Sequence, residues 1–307
     1  MKRLELRAPT KVNVGLRVVG RRPDGYHEIE SLFVPLALAD EVEIELGGAP
    51  GVRLAVEGES AAGIPAGAEN LAWRAAAAFT AAGRLSEGIS LRLTKRVPSP
   101  AGLGGGSSDA GAVLRGLAEL APGRVQGLEL RRLALALGAD VLFFLDPTPA
   151  LVEGIGERVL PVAGVPALPV LLAHPGPGLA TRDVYAAFDA ADSLTPHTPA
   201  STIRALLALR EESGTARVRW PDASDDRLRP LTRNDLEPAA SRLCPLVAKL
   251  REELSATGAS AVGMSGSGPA LYAIYARDEL AERARETISR PGTRTWVTHT
   301  VASRRLA

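Results

Sequence analysis

Cysteine is almost absent from the sequence, and the patterns that mark a metal or hydrolase centre are missing with it. Cys244 is the only cysteine among 307 residues, which excludes an intrachain disulfide and a multi-cysteine metal site. A single cysteine is more often a small buried apolar residue than a nucleophile. The four histidines lack metal-ligand spacing, and no serine stands in a nucleophile elbow. We therefore expect no resident metal centre.

The sequence also lacks an excess of charge and a long apolar run. Lysine plus arginine number 36 against 35 aspartate plus glutamate, a formal net charge of +1, which provides no electrostatic footprint for nucleic acid or an anionic membrane. No apolar run approaches the roughly 20 residues that span a bilayer, and the first residues alternate in polarity instead of forming a signal core. We expect a cytoplasmic protein that binds small molecules, with neither nucleic acid nor membrane as a partner.

The order of the predicted elements is that of an α+β protein. Period-two or apolar runs predict strands, and helical spacing with suitable ends predicts helices. Strands are predicted over 4–6, 12–19, 41–46, 52–56, 89–93 and 170–173, and helices over 70–82 and 129–137. The segment 259–275 is typical of a strand, a glycine turn and a second strand. Residues 214–229, where Ser, Asp, Pro and Arg interleave, are expected to form a mobile surface loop.

The most informative segment is the glycine-rich stretch 98–110. Its glycines stand at positions 102, 104, 105 and 106. Glycine allows left-handed backbone and close approach to a ligand, and a helix is predicted to follow with Ser107 or Ser108 as its cap. A helix N-terminus favours phosphate, although the P-loop lysine and the third glycine of the dinucleotide fingerprint are both missing. The segment predicts a phosphate-binding loop, with a linker or a tight turn as the alternative.

Two further segments accompany this loop: Ala-Pro-Thr-Lys-Val-Asn at 8–13 and Gly-Met-Ser-Gly-Ser-Gly at 263–268. In this order the three segments resemble the three motifs of the GHMP kinases, which phosphorylate small-molecule hydroxyls with ATP, and the similarity spans nearly the whole chain. It implies a two-lobed α+β fold with an ATP-binding lobe at 1–158, a substrate lobe at 159–307 and the active site in the cleft. It also implies ATP as phosphoryl donor, with Mg²⁺ as its counter-ion.

Four short segments narrow the resemblance within the family. They are Asp-Gly-Tyr-His at 24–27, Gly-Ala-Asp-Val at 138–141, Glu-Gly-Ile-Gly-Glu at 153–157 and Asn-Asp-Leu-Glu at 234–237. They are similar to the branch that phosphorylates the 2-hydroxyl of cytidine diphosphate methylerythritol in the non-mevalonate route to isoprenoid precursors. The implied partners are that substrate and ATP, bound by a monomer or weak homodimer. The alternatives are a mevalonate, homoserine or sugar kinase of the same family, and a nucleotide-binding protein without catalysis.

The resemblance assigns the chemistry to two residues. Asp140 matches the general base that accepts the substrate hydroxyl proton, and Lys11 matches the lysine that pairs with this base and steadies charge on the substrate oxygen. Without the resemblance, Asp140 is equally a helix-cap residue after Gly138. Lys11 is then simply a solvated lysine on an edge strand.

The resemblance also assigns substrate contacts. Tyr26 and His27 match positions at the cytidine pocket, Tyr185 matches the aromatic residue that stacks on cytosine, and Phe33 is placed on the other side of the base. Asn13, two residues after the active-site lysine and on the same strand face, is expected to hold substrate hydroxyls. The alternatives are a β-turn with a surface aromatic for the first pair, a helix-core residue for Tyr185 and a structural amide for Asn13.

Nucleotide contacts are expected around the glycine loop. The residues assigned to ATP are Lys95, Pro98, Gly102, Leu103, Gly104, Gly105, Gly106, Ser107 and Ser108. Ser108 and Asp109 are the nearest candidates for touching Mg²⁺ or phosphate. The chain departs from the family pattern at Thr10, where alanine is usual, and at Leu142, where proline is typical. Neither departure removes a functional group, but Leu142 leaves the backbone beside the predicted base less restricted.

Overall fold

The structure is a computed structural model that describes residues 1–191, 202–212, 214–218, 220–221 and 228–302. Within these ranges the strands are β1 (Lys2–Arg21), β2 (His27–Leu46), β3 (Val52–Glu57), β4 (Ile89–Thr94), β5 (Ala150–Gly154), β6 (Arg158–Ala163), β7 (Pro169–His174), β8 (Arg210–Glu212), β9 (Thr215–Arg217), β10 (Ala261–Met264), β11 (Leu271–Ile274) and β12 (Arg294–His299). The helices are α1 (Leu71–Gly83), α2 (Gly105–Leu120), α3 (Gly127–Leu137), α4 (Ala139–Phe143), α5 (Thr181–Asp189), α6 (Ile203–Leu206), α7 (Leu228–Leu231), α8 (Glu237–Leu243), α9 (Pro245–Ser255) and α10 (Asp278–Ile288). The α+β order predicted from the sequence is confirmed.

Contacts divide the chain into two compact units that each combine distant segments. Unit 1 comprises Met1–Thr10, Leu38–Ser99 and Gly104–Pro147, and unit 2 comprises Lys11–Ala37, Pro100–Leu103 and Thr148–Ala307. Strands β1 and β2 contribute residues to both units. The predicted division of the chain at residue 158 stays a prediction, because these units group residues by packing and not by continuous halves of the sequence.

Unit 1 packs helices against a short sheet. The end of β2 pairs antiparallel with β4, from Glu41 opposite Thr94 to Leu46 opposite Ile89, and β3 pairs parallel with β4. Alternate residues of this part of β2 are buried, as the period-two pattern predicts. Gly116 of α2 lies so close to the sheet that a Cβ there would stand 2.4 Å from the Ile44 side chain. The absence of a side chain at Gly116 therefore allows α2 to pack closely against the sheet.

The helix ends of unit 1 test two sequence expectations. Asn70 caps α1, because its side chain accepts a 2.9 Å hydrogen bond from the N–H of Ala72, and the predicted helix over 70–82 is confirmed within one residue. The expected serine cap of α2 is wrong. The N-cap is Gly104, with a φ of 73° and no capping side chain. Glycine takes this left-handed conformation at little cost, so the turn needs no hydroxyl to form.

Unit 2 contains two sheets. In one, residues 29–33 of β2 pair with β5, and the order continues through β6 and β9 to β8. In the other, the order is β10, β11, β7 and β12, with every pair antiparallel. Strand β7 is buried along its whole length, as its continuous apolar run predicts. Helices α5, α8, α9 and α10 complete the core against this second sheet.

Three expectations about local structure need correction or restriction. The predicted strands over 4–6 and 12–19 are one continuous strand, β1, in which the residues between them, Pro9 included, are also extended. The predicted loop 214–229 contains β9 and the start of α7, while residues 219 and 222–227 lie outside the described residues. The arginine-rich end 303–307 also lies outside them.

In the described part of the chain, no helix is long and apolar enough to cross a membrane.

Candidate active site

Lys11 is the centre of a buried polar group in unit 2. It is 2% exposed, and its Nζ donates to Oδ1 of Asn13 at 2.6 Å and to the carbonyl of Gly102 at 2.9 Å. The same ammonium lies 4.8 Å from the centroid of the Phe33 ring, a cation–π distance. The alternative of a solvated lysine on an edge strand is therefore wrong. A buried ammonium held by oriented acceptors is a fixed positive charge, the kind of group that stabilises charge on a reacting oxygen.

Asn13 is fixed from two sides. Its amide Nδ2 donates to Oγ of Ser31 at 2.8 Å, and that hydroxyl donates to the carbonyl of Gly15 at 2.6 Å. Its backbone N–H donates to Oγ of Ser265 at 3.3 Å. Because the side-chain oxygen already accepts from Lys11, Asn13 holds the lysine in place. Its proposed contact with substrate hydroxyls stays a prediction.

The loop 263–268 closes this group from the other side. Ser265 Oγ donates to the carbonyl of Gly102 at 2.9 Å, and the buried amide of Asn234 donates to the carbonyls of Met264 and Gly266 at 2.9 and 2.8 Å. Gly102 has a φ of 73°, and a Cβ there would stand 2.1 Å from the carbonyl oxygen of Ser265. Only glycine fits. Unit 2 thus brings together parts of all three motifs: Lys11 with Asn13, the start of the glycine loop, and Ser265.

Asp140 belongs to unit 1, where it lies half-buried in the first turn of α4. The N-cap of α4 is Gly138, and no side chain makes a capping hydrogen bond. The alternative that Asp140 is a helix cap is therefore wrong. Its proposed pairing with Lys11 stays a prediction, and so does its assignment as general base.

The second part of the glycine loop opens α2 in unit 1. Gly105 is the first helical residue and Gly106 is exposed, and the absence of a capping side chain leaves the first N–H groups of α2 without the usual partner. Ser108 is different from the other loop residues, because its N–H donates to the Gly104 carbonyl at 2.8 Å and its hydroxyl donates to the Pro9 carbonyl at 2.7 Å. The geometry at Gly105 and Gly106 suits an anion, whereas both donors of Ser108 are already engaged within the protein.

Lys95 lies beneath this helix in a buried cluster that we call the Asp–Lys–Asp cluster (Asp40, Lys95 and Asp109). Its Nζ donates to Asp40 and to Oδ2 of Asp109, the latter at 2.5 Å. The other oxygen of Asp40 accepts from the N–H groups of Arg96 and Val97 at 2.6 and 2.8 Å. The cluster therefore ties the residues after β4 to the first turns of α2. Lys95 is 1% exposed and engaged on both sides, so it supports the loop from within.

The charges of this cluster do not cancel. Burial raises the pKa of Asp109 to about 7, although the neighbouring Lys95 acts in the opposite direction. Burial alone would lower the pKa of Lys95, but the two carboxylates outweigh it and raise it. Oδ1 of Asp109 is buried and lacks a hydrogen-bond partner. Asp109 is thus an internal carboxylate paired with a lysine, and its expected contact with Mg²⁺ stays a prediction.

Asp109→Asn should change the pH dependence of stability. Between its ordinary pKa of 3.8 and about 7, the folded protein binds a proton at Asp109 that the unfolded chain has released, so this carboxyl lowers the free energy of unfolding as the pH rises. The amide keeps the shape and cannot ionise. In urea unfolding, we expect the variant to gain stability relative to wild type at pH 8 compared with pH 5. Asp146→Asn, at an exposed carboxylate of the same unit, is the control, and an identical pH profile in both variants would contradict the expectation.

His27 and Tyr185, which lie far apart in the sequence, meet in unit 2. Their rings stack with centroids 4.7 Å apart and planes 24° apart, and Phe188 meets the histidine edge-on at 6.1 Å. Nε2 of His27 lies 2.7 Å from Oδ1 of Asp189. The structure therefore places two of the predicted cytidine-pocket residues side by side. Tyr185 is also half-buried against the core, so the helix-core alternative describes part of its surroundings.

The other predicted pocket residues lie in different settings. Tyr26 is 62% exposed and lies on a turn, where its N–H donates to the Asp24 carboxylate. The alternative of a β-turn with a surface aromatic therefore fits its backbone, and its ring is accessible. Phe33 is buried beneath Lys11. Pro98 and Leu103 are also buried. Their proposed contacts with cytidine or nucleotide stay predictions.

Sequence reasoning missed the residues that hold the site residues in place. Asp40 and Asp189 are far from their partners in the chain, and no motif announces either of them. One signal was present for Asp189, because it stands four residues after Tyr185 and so one turn along the same helix face. For Asp40 there was none.

Known protein families match two segments of this chain. Family models described as GHMP kinases N terminal domain and GHMP kinases C terminal match residues 70–146 and 223–294. A 4-diphosphocytidyl-2-C-methyl-D-erythritol kinase of Citrifermentans bemidjiense is 39% identical over 94% of this chain and 96% of its own length, and one of Desulfitobacterium hafniense is 36% identical over 97% and 96%.

Solved structures give the same result. A crystal structure of a 4-(cytidine 5'-diphospho)-2C-methyl-D-erythritol kinase matches with a TM-score of 0.77 at 38% identity, covering 97% of this chain and 99% of that chain. The homoserine kinase of Cytophaga hutchinsonii matches with a TM-score of 0.70 at 20% identity, over 99% and 96% of the two chains, which shows the shared fold alone. Full-length similarity to two of these kinases, and the convergence of the three motifs, establish that this chain is a GHMP kinase and belongs to the 4-diphosphocytidyl-2-C-methyl-D-erythritol kinase family.

Proposed function

We propose that this enzyme transfers the γ-phosphoryl group of ATP to the 2-hydroxyl of 4-diphosphocytidyl-2-C-methyl-D-erythritol, giving the 2-phosphate and ADP in the non-mevalonate pathway. The observation that carries the proposal is full-length identity of up to 39% to kinases of that name. The buried and oriented ammonium of Lys11 supports catalysis over mere nucleotide binding, because a binding module has no need of a buried charge beside its loop.

Two side chains would carry the chemistry. The 2-hydroxyl oxygen forms a bond to the γ-phosphorus while the bond from that phosphorus to the leaving oxygen of ADP breaks, and the hydroxyl proton passes to the carboxylate of Asp140. Lys11 supplies positive charge at the attacking oxygen. Its two hydrogen bonds, to Asn13 and Gly102, fix where that charge stands before the substrate arrives.

ATP would be held by main-chain groups. In the proposal its phosphates face the first N–H groups of α2, at Gly105 and Gly106. Mg²⁺ would enter with ATP and neutralise phosphate charge as transfer proceeds. In the ranges that the structure describes, no three His, Cys, Asp or Glu side chains are grouped to hold a metal.

The cytidine end would be recognised by aromatic residues and His27. Tyr185 already stacks on His27, and the exposed ring of Tyr26 next to it offers a second plane for a base. Phe33 and Asn13 remain proposed substrate contacts beside Lys11. That the enzyme works in the cytoplasm as a monomer or weak homodimer stays a prediction.

The proposed activity is tested by ADP release with MgATP. We expect turnover with 4-diphosphocytidyl-2-C-methyl-D-erythritol, and none with mevalonate, homoserine or galactose. Phosphorus NMR of the product should show one new phosphomonoester. Turnover with one of the other three alcohols would support a kinase but contradict the proposed substrate. Turnover with none of the four would contradict the proposed function as a whole.

His27→Ala should raise the KM for the cytidine substrate far more than the KM for ATP. The substitution removes the ring on which Tyr185 stacks and its hydrogen-bonding edge, and one hydrogen bond to the base contributes about 0.5–1.5 kcal/mol. Steady-state kinetics with each substrate varied in turn gives both KM values. His299→Ala is the control, because that histidine also pairs with an aspartate, Asp278, but on the surface. Equal effects of His27→Ala on both KM values would move this residue out of the cytidine pocket.

A further inference from the structure

The His27 cluster (His27, Tyr185 and Asp189) fixes an imidazole in both plane and rotation. Tyr185 stacks on the ring at 4.7 Å, and Asp189 approaches Nε2 at 2.7 Å. The tyrosine and the aspartate stand one turn apart on α5, so a single helix face sets both contacts. With the His27 side chain only 7% exposed, the ring has little freedom to rotate.

The carboxylate decides which ring nitrogen carries the hydrogen. An ionised carboxylate only accepts hydrogen bonds, so the nitrogen facing Asp189 must be the donor, Nε2–H. The other oxygen of Asp189 lies 3.6 Å from the guanidinium of Arg21, so both oxygens of this carboxylate face hydrogen-bond donors. In the neutral imidazole, Nδ1 then presents a lone pair and acts as an acceptor. Among the described residues Nδ1 has no hydrogen-bond partner, so this acceptor is open to a ligand.

An acceptor at this position distinguishes the two pyrimidine bases. Cytosine carries an exocyclic amino group, a donor, where uracil carries a carbonyl oxygen, an acceptor. A lone pair on Nδ1 attracts the amino group and repels the carbonyl. The opposite tautomer, with hydrogen on Nδ1, would reverse the preference. The identity of the base is therefore set by whatever fixes the tautomer of His27.

We propose that Asp189 is a positioning residue that holds His27 as the Nε2–H tautomer and so makes the enzyme select cytidine over uridine substrates. The inference rests on the proposed function, in which His27 faces the base. It adds a residue outside the three motifs and gives it a definite task. Metal-ligating histidines are oriented by carboxylates in the same manner, here with a nucleobase in place of the metal.

The binding test compares cytidine 5'-diphosphate with uridine 5'-diphosphate by titration calorimetry, with the nucleotide loop filled by a non-hydrolysable MgATP analogue. Wild type should bind the cytidine ligand more tightly. In Asp189→Asn the amide either accepts from or donates to Nε2, so the tautomer is no longer fixed, and we expect the ratio of the two dissociation constants to fall roughly tenfold, about one hydrogen bond. Asp183→Asn, at an exposed carboxylate of the same helix, is the matched control and should keep the ratio.

A second readout is independent of binding. Nitrogen-15 NMR of the imidazoles, assigned with His27→Gln, should show Nε2 protonated and Nδ1 unprotonated in wild type, and a mixture of tautomers in Asp189→Asn. A hydrogen on Nδ1 in wild type overturns the inference. An unchanged binding ratio in Asp189→Asn also overturns it, while a wild-type preference for cytidine leaves the proposed function intact. If wild type binds the two diphosphates equally, the inference fails, whereas the proposed kinase activity is decided separately by the ADP-release assay.

Discussion

Asp140→Asn is expected to lower kcat by roughly 10²–10⁴-fold while leaving the affinity for ATP nearly unchanged. The amide fills the same volume in the first turn of α4, but it cannot accept the proton of the substrate hydroxyl. Because the side chain does not cap the helix, the substitution removes no helix-capping hydrogen bond. Single-turnover phosphoryl transfer and equilibrium binding of a fluorescent ATP analogue measure the two effects separately.

The matched control for this experiment is Asp146→Asn, the same change at an exposed carboxylate six residues along the chain. It should retain wild-type turnover. Near-wild-type turnover of Asp140→Asn would remove the general-base assignment. A parallel loss of ATP affinity would instead place this carboxylate in nucleotide binding.

Lys95→Met should be the most destabilising of the substitutions considered. The change leaves Asp40 and Asp109 buried against each other without a counter-ion, and breaking a buried ion pair typically costs about 3–5 kcal/mol. Methionine has a similar length and no charge, so the loss would come from electrostatics and not from an empty space. Urea unfolding measures the free energy directly. Thermal unfolding with and without MgATP would show whether ligand restores part of the loss.

The neighbouring residue provides the control. Arg96 pairs with Glu41 at 2.8 Å, but both side chains are about half exposed, so Arg96→Met should change stability by no more than about 1 kcal/mol. If Lys95→Met lowered the free energy of unfolding by less than about 1 kcal/mol, the Asp–Lys–Asp cluster would not be what holds the loop in place. A Lys95→Met protein that is fully stable yet no longer binds ATP would instead support direct contact between Lys95 and the nucleotide.

The sequence predicted most of what depends on local pattern. The α+β order, helix α1 and the fully buried strand β7 follow from periodicity. The family resemblance, carried by three motifs, correctly indicated a GHMP kinase. Glycine spacing further predicted a tight backbone at Gly102, where the structure has no room for a side chain.

What escaped prediction depends on contacts between distant residues. The partner of Lys95 at Asp40 is 55 positions away, and the partner of His27 at Asp189 is 162 positions away. Neither carboxylate belongs to a pattern of its own. Ser108 was expected to serve as a helix cap, but its hydroxyl reaches the carbonyl of Pro9 instead, because the left-handed glycine before α2 had already made the turn.

Chemical modification of the single thiol can report local unfolding in this protein. Cys244 is buried at the junction where α8 ends and α9 begins, within the core of unit 2. A thiol reagent can modify this sulfur only when the packing around the two helices opens, so the labelling rate measures how often that region unfolds locally. Since the chain contains no second thiol, the signal comes from one place without any engineering. Comparing the labelling rate with and without substrate would show whether ligand binding reduces local unfolding in this part of unit 2.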